Sequence, residues 1–368
     1  MAAPLLDDLR RLRQDLHAEP DASGAEAATA RAIRDWLATQ GLEPLAEEVG
    51  GHGLLYQVGD EPKVLLRADL DALPIQETTG ASYASDNGHM HACGHDGHAA
   101  MLAGALAQLA ATGGNAYALF QGAEETGEGA AACLEHPALS DLDVSRCFAL
   151  HNLPGTPLGQ VQVREGPAAV ASRGLTIRLQ GRSSHASEPF AGRNPAAALA
   201  TLALEAPGLP NQHLALGAAA LVTVVHLEAG ARRFGTSADT GSLSVTLRAD
   251  RDGDVDTLEA ELRRRAKGLA QAHGLEASFQ VEEPFPACHN DAAAAEQVRR
   301  AAGAAGLDVV DAPLQPWSED FGHLLARWPG ALLLLGSGDE QPTLHSSDYD
   351  FPDDLLGPGV RLLCALAT

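Results

Sequence analysis

Three short apolar runs, Val64-Leu65-Leu66-Arg67-Ala68-Asp69, Tyr117-Ala118-Leu119-Phe120-Gln121 and Cys147-Phe148-Ala149-Leu150-His151, each deliver a polar residue at their end. Runs this short and apolar predict strands buried on both faces. Alternated with helices, they build a mostly parallel sheet whose useful residues gather along one edge. The loop Leu70-Asp71-Ala72-Leu73-Pro74 leaves the carboxyl end of the first run, where α/β proteins place their ligands. Leu5 to Gln40 has helical spacing broken by Pro20 and Gly24, so it predicts two helices joined by a turn. Ala99 to Ala111 predicts a helix, and Ala331 to Leu335 an all-apolar buried strand.

The pattern changes between about Gly174 and Pro284. Strand-like Leu175–Gln180, Leu221–Leu227, Ser242–Arg248 and Glu276–Glu282 are interleaved with helix-like Asn194–Glu205 and Val255–His273. The order βαββαβ is the ferredoxin-like split βαβ, which can fold by itself. A chain of 368 residues exceeds one ordinary domain. The expectation is an α/β protein: residues 1–173 and 285–368 form a catalytic domain around the mostly parallel sheet, and residues 174–284 an inserted lid and dimerisation domain.

The formal charge of −24 argues against nucleic acid or an anionic membrane as partner, because either would repel the chain. A small-molecule substrate fits better. No apolar stretch reaches the roughly 18 residues of a membrane helix, so solubility is expected. Cys93, Cys133, Cys147, Cys288 and Cys364 are odd in number and widely spaced, and no charged-then-apolar leader precedes them, which predicts a reduced, cytoplasmic protein.

His89-Met90-His91-Ala92-Cys93-Gly94-His95-Asp96-Gly97-His98 packs four imidazoles and a thiol into ten residues. Thiolate and imidazole suit zinc and similar divalent ions, and the glycines let the backbone bend so that side chains converge. The run alone leaves structural and catalytic metal open, although no CxxC pair occurs to support a structural clip. Further donors lie in separate segments: Glu124-Glu125 in a glycine-rich loop after an apolar strand, His151 at a strand end, and His345 in Leu344-His345-Ser346. A site assembled from distant loops is characteristic of catalysis. Adjacent glutamates can divide the work, one holding an ion and one moving a proton. Taken singly, His151 and His345 are ordinary hydrogen-bonded histidines, His185 is a turn histidine, and His91 and His98 are supporting or surface residues that the spacing does not exclude as ligands.

In this order, the motifs resemble the metallo-amidohydrolase family of aminoacylase, carboxypeptidase G, hippurate hydrolase and auxin-conjugate hydrolases. The resemblance is nearest to the hippurate and auxin-conjugate branch, where a Cys-x-His pair replaces part of the usual ligand set. Its carriers are Leu66 to Pro74, His91 to His98, Gln121 to Glu125, Leu150-His151-Asn152, Gly181 to Ala186, Ser318-Glu319-Asp320-Phe321 and Leu344 to Ser346. It implies a two-metal centre (zinc or manganese, or cobalt) held by Cys93, His95, Glu125, His151 and His345, with Cys93 bridging and Asp69 orienting a ligand. It also implies Glu124 as general base and acid, His185 as the oxyanion donor on the lid, and a homodimer or homotetramer formed through that lid. Arg67 stands where other branches carry a ligand histidine. The lid loop Arg232 to Asp239 lacks the asparagine and proline of many relatives, which leaves Arg248 or Arg233 to pair with a substrate carboxylate.

The resulting expectation is a metal-dependent amidohydrolase of N-acyl amino acids or related small amides. A dipeptidase or carboxypeptidase of the same family is one alternative. A homologue that binds metal or small molecules without turnover is the other.

Overall fold

The computed structural model describes residues 3–368, and the chain divides into two compact units. The larger contains the chain through Ala168, Cys288–Leu314 and Glu319–Thr368. Its eight-stranded sheet has the order Ala46–Val49, Gly53–Val58, Ala116–Gln121, Val64–Asp69, Arg146–Pro154, Gly330–Gly338, Val161–Val163, Val309–Asp311. The four central strands, Ala116–Gln121 through Gly330–Gly338, run parallel, and antiparallel pairings occur toward the margins. Register places Asp69 opposite Gln121 and Arg67 opposite Ala149, so Asp69, at the end of its strand, stands level with His151, whose strand runs on to Pro154. The expected chemical edge is therefore a physical one.

The helix His95–Thr112 lies against this sheet and is buried on nearly every side. Its alanines and leucines suit that position, since a helix apolar all round belongs in a core. The helices Ala3–Ala18 and Leu356–Leu366 pack across it so closely that a Cβ on Gly104 would stand 2.5 Å from Leu9 Cδ1. The helix begins at His95, not at Ala99 as the apolar run suggested. Gly94 adopts φ +88° and turns the chain into it, so the end of the histidine run forms the first helical turn.

The smaller unit contains Ala169–Ala287 and Gln315–Ser318. Its strands Ala220–Ala229, Thr240–Ala249, Ala171–Gln180 and Glu276–Phe285 form one antiparallel sheet in that order. The helices Ala196–Glu205 and Asp252–His273 cover one face, giving the βαββαβ arrangement with its own core of Leu175, Ile177, Leu199, Leu243, Leu247, Leu258 and Leu262. The first strand starts at Ala171, which carries this unit further toward the N-terminus than residue 174. Among the described residues no helix is long and apolar enough to cross a membrane.

Candidate metal centre

Two bends bring the donors together. After the strand Ala116–Gln121 the chain turns through Gly122 and Ala123, and Ala123 takes φ +54°, an uncommon conformation for a residue with a side chain. The buried Glu26 carboxylate holds this turn by accepting from the backbone N–H of Ala123 (2.8 Å) and of Gly24 (2.6 Å). A Cβ on Gly122 would stand 2.6 Å from the Glu26 carboxyl carbon, so glycine is required there. Glu124 and Glu125 follow directly, and the Glu125 N–H donates to Asp71 Oδ2 at 3.0 Å. The second bend is Gly94, between Cys93 and His95, where a Cβ would lie 2.5 Å from Asn152 Oδ1.

Hydrogen bonding fixes which imidazole nitrogens are open. His95 Nδ1 donates to the Asp71 carbonyl (2.8 Å), and His151 Nδ1 donates to the Asn152 carbonyl (2.8 Å). With those protons placed, His95 Nε2 presents a lone pair, while His151 Nε2 meets the Cys93 thiol. His151 Nε2 lies 3.4 Å from Cys93 Sγ; His95 Nε2 lies 3.9 Å from Glu125 Oε1, which is 3.7 Å from His345 Nε2. Cys93, His95 and His151 offer ligand atoms within 4.8 Å of one another, and so do Cys93, Glu125 and His345. Cys93 therefore belongs to both groups. His345 has φ +64°, is anchored by its N–H on the Ala92 carbonyl, and its side chain is 52% exposed, so it closes the open side of the cluster.

The residues fit a divalent ion. His95 Nε2 and Glu125 Oε1 are both buried without a hydrogen-bond partner, and an unsatisfied buried polar atom costs about 1–3 kcal/mol. Burial and then Glu125 hold the Cys93 thiol well above its ordinary range, and burial drives the Glu125 carboxyl up to about 7. A neighbouring dication reverses both effects and leaves the anions that ligate best.

Glu124 lies beside a second group. It shares a 4.8 Å cluster with Glu319 and Asp320, and its Oε1 accepts from the Asp320 N–H at 3.3 Å. Buried Arg67 fills this group with charge: Nη2 lies 2.7 Å from Asp320 and 3.2 Å from Glu319, Nη1 lies 2.8 Å from Asp69, and Nε donates to Gln121 Oε1. Burial, then Glu319, Glu125 and Asp320, push the Glu124 carboxyl well above its usual range, raising its affinity for a proton.

Asp69 Oδ1 pairs with His98 Nδ1 at 2.7 Å and its Oδ2 with Arg67, and Oδ2 lies 3.7 Å from His95 Nε2; the carbonyl of Asp71 accepts from His95 Nδ1. His91 is buried with both nitrogens unpartnered, and burial draws it down to about 4, so it is neutral. Sequence reasoning gave no role to Glu26, Asp71, Glu319 or Asp320. The motif Ser318-Glu319-Asp320-Phe321 was the one available signal for the last two.

In the smaller unit, His185 is exposed, and its Nδ1 accepts from the Ser187 N–H (3.2 Å) and faces Ser187 Oγ (2.6 Å). That leaves the ring proton on Nε2 as an open donor. Arg248 is half-buried and donates to the Pro316 carbonyl and Ser318 Oγ, both at 3.1 Å. Arg233 is exposed, on the turn before the short strand Thr236–Ser237 that pairs with Ser184–His185.

Residues 65–368 match the peptidase family M20/M25/M40. The chain is 31% identical over 345 residues to an N-acetylcysteine deacetylase of Bacillus subtilis, covering 92% of this chain and 90% of the relative. It is 29% identical to the hippurate hydrolase of Campylobacter jejuni, covering 99% and 96%. The crystal structure of the Bacillus subtilis YXEP protein, described as a dinuclear metal binding peptidase from the M20 family, superposes with a TM-score of 0.85 at 29% identity, covering 100% of this chain and 98% of that one.

Proposed function

The chain belongs to peptidase family M20/M25/M40, a family of metal-dependent amidohydrolases and peptidases, and from that membership we propose that it hydrolyses the amide bond of N-acyl amino acids at a two-ion centre. The observation that carries this reading is the convergence of open donor atoms: His95 Nε2 and Glu125 Oε1 buried without partners, and Cys93 common to both ligand groups. Cys93, His95, Glu125, His151 and His345 hold two divalent ions, zinc or manganese, with cobalt a substitute. Once bound, such ions supply Lewis acidity that makes water a nucleophile near neutral pH and polarises the scissile carbonyl.

The chain's own groups do the rest. Glu124, held by the Asp320 N–H and raised in proton affinity, takes the proton of the attacking water and passes it to the departing amine. The open Nε2–H of His185 serves as oxyanion donor, and Arg248 or Arg233 pairs with the substrate carboxylate. Leu221, Val225 and Leu227, exposed on the edge strand Ala220–Ala229, support a homodimer or homotetramer formed through the smaller unit. Five free cysteines support a reducing, cytoplasmic setting.

The test is a panel of N-acetyl and N-benzoyl amino acids and dipeptides, offered to metal-free protein and to protein reloaded with zinc, manganese or cobalt. Hydrolysis of N-acyl amino acids that returns only on reloading is expected. Full amidase activity after chelation overturns the reading.

A further inference from the structure

His98 is one of three histidines of the opening run, with His89 and His91, that the proposed ion centre leaves without a part. It is buried in the first turn of the helix His95–Thr112, three residues after His95, and its ring lies 4.7 Å from that of His151 and 5.5 Å from that of His95. Although Asp69, His95 and His98 could by distance alone hold an ion, neither nitrogen of His98 is open. Nδ1 is 2.7 Å from Asp69 Oδ1; Nε2 is 2.5 Å from Asn152 Oδ1, an acceptor, and 3.1 Å from the Asn152 backbone nitrogen.

Those partners are the ones that set the candidate ligands. The Asn152 carbonyl accepts from His151 Nδ1, which aims His151 Nε2 at Cys93. The Asn152 side chain lies against Gly94, the bend between Cys93 and His95, and reaches the Tyr349 hydroxyl at 2.7 Å. Asp69 Oδ2 stands 3.7 Å from His95 Nε2. One imidazole thus joins the end of one strand, the start of the helix and the strand carrying His151.

We propose that His98 is a positioning residue that sets ion affinity by locking Asn152, and through it His151 and the Cys93–His95 bend, without touching ion or substrate. The inference rests on the ion-centre reading given above. Groups that orient metal ligands typically contribute about 10- to 100-fold in metal affinity.

The experiment measures zinc affinity and stoichiometry of the full chain by chelator competition, with thermal unfolding of the metal-free protein alongside. His98→Ala is expected to weaken zinc binding about 10- to 100-fold at unchanged stoichiometry, with the metal-free midpoint near wild type. His98→Gln, whose side-chain amide can reach the position of Nε2 and keep the contact with Asn152, is expected to recover part of the loss, and it carries the test if the alanine variant fails to fold. Wild-type affinity in both variants overturns the inference. Loss of one ion per chain that glutamine does not restore also overturns it, because His98 would then be a ligand. Wild-type protein that binds no zinc defeats the ion-centre reading itself, a distinguishable result.

Discussion

Two buried groups of ligand-type side chains stand side by side in the larger unit, and they are neutralised in opposite ways. Around Arg67, the carboxylates of Asp69, Glu319 and Asp320 face a guanidinium that the chain carries itself. Around Cys93, the donors of His95, Glu125 and His151 face one another with no arginine or lysine among them, and two of their atoms have no hydrogen-bond partner. The first group is complete as folded, whereas the second is complete only with an exogenous ion. They differ in residue type, three carboxylates against a thiol, two imidazoles and one carboxylate, and in the presence of a covalently attached guanidinium. Glu124 lies on the border, within reach of Glu319 and Asp320 on one side and of His95 and Glu125 on the other.

That border position gives the largest expected effect. Glu124→Gln should lower kcat about 10²- to 10⁴-fold while ion content, read by elemental analysis, stays at the wild-type value. Loss of the ion instead would move Glu124 into the open group and exchange its role with that of Glu125. Removing the internal cation should come next. Arg67→Met leaves three buried carboxylates facing one another and should destabilise the metal-free chain by about 3–5 kcal/mol in urea unfolding. A change below about 1 kcal/mol would mean that the filled group is not held by its guanidinium.

The open group should respond to ions as the filled one does not. Zinc at a hundred times its dissociation constant should raise wild-type stability by about 2.7 kcal/mol, seen as a higher thermal midpoint. An unmoved midpoint would remove the distinction between the two groups. The smallest effect concerns a second internal cation. His17 lies between Asp96 (2.8 Å) and Glu77 (3.2 Å). Burial works against its charge, yet the Asp96 hydrogen bond and charge, with Glu77, raise it from 6.5 to about 9. A histidine raised on folding stabilises fully below its unfolded value and loses that contribution as pH climbs through the folded one. Wild type should therefore lose about 2.5 kcal/mol relative to His17→Gln between pH 6.5 and 9. Parallel stability profiles would show that His17 is neutral in the fold.

Much of this arrangement was legible in the residues, for identifiable reasons. Strand ends at Asp69 and Gln121 could be read because buried parallel strands are apolar throughout and stop where polar residues begin, whereas the strand carrying His151 runs on to Pro154. The βαββαβ order of the smaller unit followed from the alternation of its segments, and the resemblance gathered the five ligand candidates. What stayed hidden depends on three-dimensional neighbours. Gly94 opens the helix at His95 through its left-handed φ and the nearby Asn152 side chain, which no local pattern announces. Glu26 bonds to Ala123 across 97 positions, and Arg67 to Asp320 across 253. The Asp71 carbonyl that accepts from His95 Nδ1 was hidden as well, since backbone acceptors carry no side-chain signature.

The most direct test of the central claim is the number of ions held by metal-free chain reloaded with zinc, compared with Cys93→Ala. Two ions per wild-type chain, and one or none in the variant, is the predicted result, because Cys93 is the donor common to both ligand groups. Two ions retained at wild-type affinity in Cys93→Ala, or none bound by wild type, would contradict it.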